Sequence, residues 1–135
     1  MRVFLDTSVL VSAFTTRGLS ADVFRLGLVE HELITGEFNL EEFRRVLRAR
    51  MNAPDALIDE AEKLLREQDV VPRPAAPYPI QIRDPDDAGV LASAVAGAAE
   101  VLVTGDHDLL DVRSEAPLRI LTPREFWELS RRTAS

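Results

Sequence analysis

Short apolar runs recur along this sequence, and segments with helical spacing separate them. Val3–Leu5, Leu33–Thr35, Val70–Val71 and Val101–Thr104 lack the polar alternation of a half-solvated strand, and Leu118–Leu121 is broken only by Arg119. A strand with one wet face alternates in polarity, whereas a run apolar on both faces must be covered on both. Between the runs lie segments whose apolar residues repeat three or four apart. One is capped by Ser20 and carries Val23, Phe24, Leu26 and Leu28; another opens at Asn39 and carries Phe43, Val46 and Leu47. Pro54 opens a third, with Leu57, Ile58, Ala61, Leu64 and Leu65 on one face. A small-residue helix is expected from Asp86 to Ala98, and a last one begins at Pro123 and contains Phe126 and Trp127. This order predicts an α/β fold: a three-layer α/β/α sandwich around a central, mainly parallel sheet of four to five strands.

At 135 residues the chain is long enough for one domain with its own core, so a single domain over 1–135 is expected. The proline-rich stretch VVPRPAAPYPIQIRDP reads as an irregular connection, too short to separate two domains. Cysteine is absent, which removes disulfides and thiolate metal sites and agrees with a reducing compartment. Asp6 interrupts the apolar N-terminus early, so that segment reads as structure and not as a signal peptide. No run approaches the roughly 18 apolar residues of a membrane span. A soluble, cytoplasmic protein with no membrane partner is expected.

The acids are placed less uniformly than composition requires. In an open parallel sheet, ligands bind beyond the carboxyl ends of the strands. Asp6 follows the first apolar run and Asp106 follows the fourth, so both are expected at the same edge of the sheet, delivered to its rim. In NLEEFRRVL, Glu41 points away from the apolar face, whereas Glu42 shares a stripe with Val46 and can look inward. In RDPDDAGVLASA, Asp87 shares a face with Leu91 and Ala94, and Asp86 is the second choice. Each acid also has a plainer explanation. Asp6 can cap a following helix, Asp84, Pro85, Asp86 and Asp87 make an ordinary helix start, Glu42 can pair with Arg45, and Asp106 and Asp108 suit a turn after Gly105.

Taken together, carboxylates without cysteine or imidazole suit a hard divalent ion such as Mg²⁺ or Mn²⁺. Two such ions about 4 Å apart can serve an in-line displacement at phosphorus, so phosphodiester hydrolysis is the chemistry such a cluster serves best. The net charge of −7 argues against a passive nucleic-acid coat but not against a site that loads cations. All but one of the 16 basic residues are arginine, the exception being Lys63. Arg44, Arg45, Arg48 and Arg50 form a basic helix face that near Glu42 can touch phosphate.

The segments LDTSVLVSA, LEEFRRVL, DPDDAGVLASAVAGAAEVLVTGDHDLL and ILTPREF, in that order, resemble the PIN-domain family, closest to the short VapC-like toxin components of toxin–antitoxin systems. The resemblance covers essentially the whole chain. It implies a PIN fold, metal-dependent ribonuclease activity on RNA, Mg²⁺ or Mn²⁺ as cofactor, a small antitoxin partner and a homodimer. By position the family acids fall on Asp6, Glu42, Asp87 and Asp106, with a one-residue ambiguity toward Asp86 and with Asp108 as a frequent fifth acid. Asp6, Asp87 and Asp106 are then expected to hold the metal, Glu42 to bind it or orient water, and Asp108 to support them. Thr7, Ser8 and Thr104 fall where the family often has small polar residues. Ser8 departs from the asparagine of many relatives and keeps a hydrogen-bonding group.

Other classes fit less well. A phosphorelay receiver domain needs a lysine at a late strand end, yet Lys63 lies in an expected helix. A haloacid-dehalogenase-type phosphatase needs Asp-x-Asp after its first strand, and position 8 is serine. The alternative that remains is a catalytically inactive PIN-like binding or assembly module, which lost acids would mark; here all four positions are filled.

Overall fold

Four of the five strands give way to a helix after no more than three intervening residues, because a polar or glycine residue at which a helix can start closes or follows each of them. The computed structural model describes residues 1–133. The elements are β1 (Arg2–Leu5), α1 (Thr7–Thr15), α2 (Leu19–Glu30), β2 (Glu32–Gly36), α3 (Glu37–Ala49), α4 (Asp55–Arg66), β3 (Asp69–Val71), α5 (Pro85–Ala96), β4 (Val101–Val103), α6 (His107–Asp111), β5 (Arg119–Leu121) and α7 (Pro123–Thr133). The strands form one sheet in the order β3-β2-β1-β4-β5, and every pairing is parallel. The expected sheet is therefore present, at five strands.

Alternate residues of each strand enter two separate cores. Val3, Leu5, Leu33, Val101 and Val103 pack with Leu10, Phe24, Phe43, Ile58 and Phe126 from α1, α2, α3, α4 and α7. Phe4, Ile34, Leu102 and Ile120 pack on the other face with Leu91 and Ala94 of α5 and Leu109 of α6. That gives helix layers on both faces. In the first core Phe14 meets Phe24 and Phe43 edge to face, with ring centroids 5.2 and 5.5 Å apart. These contacts tie α1 to α2 and α3.

Several element boundaries differ from the sequence expectation. Ser20 does not cap α2. Gly18 does, at φ 145°, a backbone conformation that glycine reaches without steric cost, so the helix begins at Leu19. Asn39 does not open α3, which starts two residues earlier at Glu37; Asn39 is fully buried within the first turn. Helix α1 was expected only as a segment that Asp6 can cap, and α6 not at all: a turn was the plainer explanation of Asp106 and Asp108. Both helices start on an aspartate N-cap, Asp6 and Asp106, whose side chain accepts from a backbone N–H. Helix α5 ends at Ala96 and not at Ala98, which has φ 55°. The last strand begins at Arg119, leaving Leu118 outside it. The proline-rich connection is irregular, as expected, and is pinned where the Tyr78 N–H donates to the Ala88 carbonyl at 3.1 Å.

Candidate metal centre and substrate cleft

The chain reverses its direction of sheet growth at β1. From β1 it adds β2 and β3 on one side, then returns to place β4 and β5 on the other. Helices leaving β1 and β4 therefore diverge to opposite faces, and a crevice opens beyond the carboxyl ends of these two strands. Asp6 follows β1 and Asp106 lies three residues after β4, so both acids stand at this crevice. A cleft of about 700 Å³ occupies it, lined by Asp6, Glu42, Asp84, Asp86, Asp87 and Asp106 together with parts of α1 and α3.

Asp6 is only 5 % exposed, so it is buried at the rim and not displayed on it as expected. Its carboxylate is held from two sides. Oδ1 accepts from the Thr7 N–H at 2.8 Å, and Oδ2 accepts from the Thr104 hydroxyl at 2.8 Å and, more distantly, from Ser8 Oγ at 3.5 Å. Burial pushes its pKa up to about 6 against the opposing pull of the Thr104 and Thr7 hydrogen bonds, and the charges of Glu42 and Asp106 push the same way. Thr104 also accepts from the Asp106 N–H at 2.9 Å, and Asp106 Oδ1 accepts from the Asp108 N–H at 2.9 Å.

Asp87 sits in the first turn of α5, after Asp84 has capped the helix by accepting from the Asp86 N–H. The capping explanation of this acid run is thus correct for Asp84. Helical rotation then separates its neighbours: Asp87 is 6 % exposed and Asp86 is exposed at the cleft rim. Carboxylate oxygens of Asp87, Asp106 and Asp108 lie within 4.8 Å of one another. Burial raises the pKa of Asp87 first, and the neighbouring carboxylate of Asp106 raises it further. Asp108 also faces the Arg83 guanidinium at 3.8 Å.

Glu42 and Glu41 part as helical geometry requires. Glu42 lines the cleft and Arg45 approaches it at 3.7 Å, whereas Glu41 pairs with Arg73 outside the cleft. The basic face of α3 divides too. Arg44 binds Asp59 and Glu62, and Arg48 binds Asp55, so both fasten α3 to the region of α4. Arg45 and Arg50 line the cleft.

The donor set fits a hard divalent cation. Among the described residues every candidate ligand is a carboxylate oxygen, and the buried Oδ2 of Asp87 has no hydrogen-bond partner. A buried carboxylate oxygen left bare beside two other acids is costly unless a proton or a cation meets it. Beneath the acids lies a residue that sequence reasoning read only as a helix start. Asn39 donates from Nδ2 to Thr7 Oγ1 at 3.0 Å, and so braces the start of α1 next to Asp6. A polar residue between the apolar Phe38 and Leu40 was its only sequence signal.

An acid-lined crevice at the switch point of a parallel sheet places the chain among α/β domains that gather carboxylates at the strand ends. Residues 2–108 match the PIN domain family. The chain belongs to that family. The structure is similar to VapBC2 from Rickettsia felis bound to a DNA fragment from its promoter, with TM-score 0.65 and 16 % identity over 90 % of this chain and 98 % of that one. A toxin–antitoxin complex from Klebsiella pneumoniae matches at TM-score 0.63 and 15 % identity, over 90 % of this chain and 97 % of that one. VapC20 from Mycobacterium tuberculosis, a toxin that cleaves the sarcin-ricin loop, matches at TM-score 0.60 and 15 % identity, covering 82 % and 94 %. At such identities the likeness is one of fold. A search of curated protein sequences found no match. Among the described residues, no helix is long and apolar enough to cross a membrane.

Proposed function

We propose that this protein is an endoribonuclease that hydrolyses phosphodiesters of single-stranded RNA with Mg²⁺ or Mn²⁺ as cofactor. In this proposal it is a single-domain toxin of a type II toxin–antitoxin pair, acting in the cytoplasm as a homodimer and restrained by a small antitoxin protein. The observation that carries the nuclease assignment is the convergence of Asp6, Asp87 and Asp106 on one cleft, with a bare carboxylate oxygen on Asp87. Family membership supports the same activity, and the toxin and toxin–antitoxin neighbours support the cellular role.

Asp6, Asp87 and Asp106 would hold the cofactor, and Asp108 would add a fourth carboxylate from the first turn of α6. A bound divalent ion supplies Lewis-acid activation of water and neutralises charge developing at phosphorus. Thr104 keeps Asp6 and the Asp106 backbone in fixed relation, so their carboxylates need not reorganise when substrate arrives. Glu42, on the α3 wall, either joins the ligands or orients the attacking water.

The test is cleavage of end-labelled single-stranded RNA with Mn²⁺, with Mg²⁺ and with EDTA, alongside Asp6→Asn and Asp106→Asn variants shown to be folded by circular dichroism. Cutting that needs metal and that both variants lose is expected. A wild-type protein that binds no Mn²⁺ by calorimetry and cuts no RNA would overturn the proposal.

A further inference from the structure

Two helical stripes face the cleft, and their chemistry differs. Thr7 lines it at the start of α1, and from there the lining residues fall at positions 8, 11, 12, 15 and, at the C-cap, 16; on α3 they fall at 42, 45, 46, 49 and, at the C-cap, 50. Both sets follow the i, i+3, i+4, i+7, i+8 spacing of a single helix face. The α1 face ends in hydroxyls, those of Ser12, Thr15 and Thr16. The α3 face begins with Glu42 at the acid end and carries Arg45 and Arg50 beyond it.

The two arginines are available in a way that their neighbours are not. Arg45 meets Glu42 only at 3.7 Å and is well exposed, and Arg50 makes no ion pair among the described residues. At a rise of about 1.5 Å per residue they stand roughly 5 and 12 Å along the helix axis from Glu42, far enough apart to meet different phosphates. The hydroxyls have the opposite character. Thr15 Oγ1 donates to the Val11 carbonyl and Thr16 Oγ1 to the Ser12 carbonyl, each at 2.7 Å. Their protons are committed to the helix, and Thr16 Oγ1 also meets Ser12 Oγ at 3.3 Å, so what they present to the cleft is their remaining acceptor lone pairs. Phosphate oxygens also only accept and gain nothing there, whereas a ribose 2′-hydroxyl can donate. Among the described residues no aromatic side chain lines the cleft, so they offer no platform for stacked bases.

We propose that one polyribonucleotide strand lies lengthwise between α1 and α3, its phosphates held by Arg45 and Arg50 and its ribose 2′-hydroxyls donating to Thr15 and Thr16. The inference rests on the nuclease function proposed above and assigns the discrimination of RNA from DNA to α1. Recognition along this track is of the backbone, so base identity contributes little to affinity.

Fluorescence anisotropy with a labelled single-stranded RNA and the DNA of the same sequence tests it, in Ca²⁺ so that binding is read without turnover. The Arg45→Gln/Arg50→Gln protein is expected to bind both strands about tenfold more weakly. Its slope of log affinity against log salt should fall by about 1.4, at roughly 0.7 per phosphate contact on a single strand. The Thr15→Val/Thr16→Val protein is expected to lose about tenfold for RNA only, since a hydrogen bond is worth a factor of roughly two to ten. Its salt slope should stay unchanged. Arg119→Gln, at the amino-terminal end of the strands, controls for the loss of a positive charge away from the cleft and should bind like wild type. Oligo-U and oligo-A should show the same losses.

Arginine variants no weaker than Arg119→Gln, or threonine variants that lose RNA and DNA alike, would overturn the track while leaving a nuclease that still cuts RNA. A wild-type protein that binds Mn²⁺ but no RNA at any salt would overturn both the track and the nuclease function.

Discussion

The Thr104 hydroxyl joins Asp6 to the chain segment that bears Asp106. It donates to Asp6 Oδ2 at 2.8 Å and accepts from the Asp106 N–H at 2.9 Å, within a fully buried environment. Two strands that are neighbours in the sheet, β1 and β4, thus share one side chain at their carboxyl ends. Thr104→Val keeps the shape and removes both bonds, leaving the Asp106 N–H and one face of Asp6 unsatisfied. A loss of about 1–3 kcal/mol in unfolding free energy is expected, with weaker Mn²⁺ binding. Thr104→Ser should restore both. Chemical denaturation and calorimetry on the three proteins check this, and Mn²⁺ affinity that stays at the wild-type value in Thr104→Val would count against the positioning role.

Asp87 gives the metal-free protein a specific pH response. Its pKa in the folded state is raised above the unfolded value, so the folded form holds the proton longer than the unfolded chain does. The folded state therefore loses stability as pH climbs from the ordinary carboxylate range toward the raised value. Asp6 acts in the same direction, up to about pH 6. His31 opposes them, because burial lowers its pKa and stability is gained as pH rises toward its unfolded value. Comparison with Asp87→Asn isolates the carboxylate. The variant should gain little at about pH 4 and on the order of 2 kcal/mol at about pH 8, a rise in Tm of roughly 5–10 °C. Thermal unfolding in EDTA across this range reads the difference directly, and a gap that does not widen with pH would refute it.

The wall between α1 and α3 depends on Phe43. The ring is fully buried and stacks edge to face on Phe14, so it fixes the distance between the two helices that border the cleft. Phe43→Ala should cost about 3–5 kcal/mol, as a large cavity in a two-sided core does. Phe43→Leu, which keeps most of the volume, should cost clearly less. Equilibrium urea unfolding of both variants would show whether the order is right.

Two glycines of α5 and its end should respond oppositely to alanine. At Gly89, inside the helix, an added Cβ would meet the Phe38 ring at an ordinary 3.5 Å, so better helix propensity should raise stability by about 0.5–1 kcal/mol. At Gly97 the same atom would come within 2.8 Å of Val71 and 3.1 Å of Ile34, both branched core residues. Gly97→Ala should lose about 1–3 kcal/mol. Differential scanning calorimetry on the pair is sufficient, and a stabilised Gly97→Ala would show that this corner is looser than the packing indicates.

Binary pattern made the layers readable. Val3–Leu5 and Val101–Val103 are apolar without alternation, a pattern possible only for strands covered on both sides, and the helical spacing of Phe43 and Leu47 or of Ile58, Ala61 and Leu65 showed what covers one of them. Boundaries set by backbone geometry were not readable in the same way. Gly18 takes the cap that Ser20 was expected to take because the turn out of α1 demands a positive φ there. Helix α6 was missed because five residues are too few to display a helical period.

What the sequence alone determined is the kind of chain this is: a parallel α/β domain whose acids follow its strands, with the family motifs in order. Local chemistry suffices for that, since propensity, polarity period and capping residues act within a few positions. The strand order β3-β2-β1-β4-β5 was decided only in three dimensions, and it brings Asp6 and Asp106 to one crevice from 100 residues apart. The same holds for the bare oxygen of Asp87, the brace from Asn39 to Thr7, and the separation of Arg45 and Arg50 from the arginines that pair with α4. Each depends on which distant residue arrives at a given side chain, and burial and hydrogen bonding of that kind are properties of the packed molecule, not of any stretch of chain.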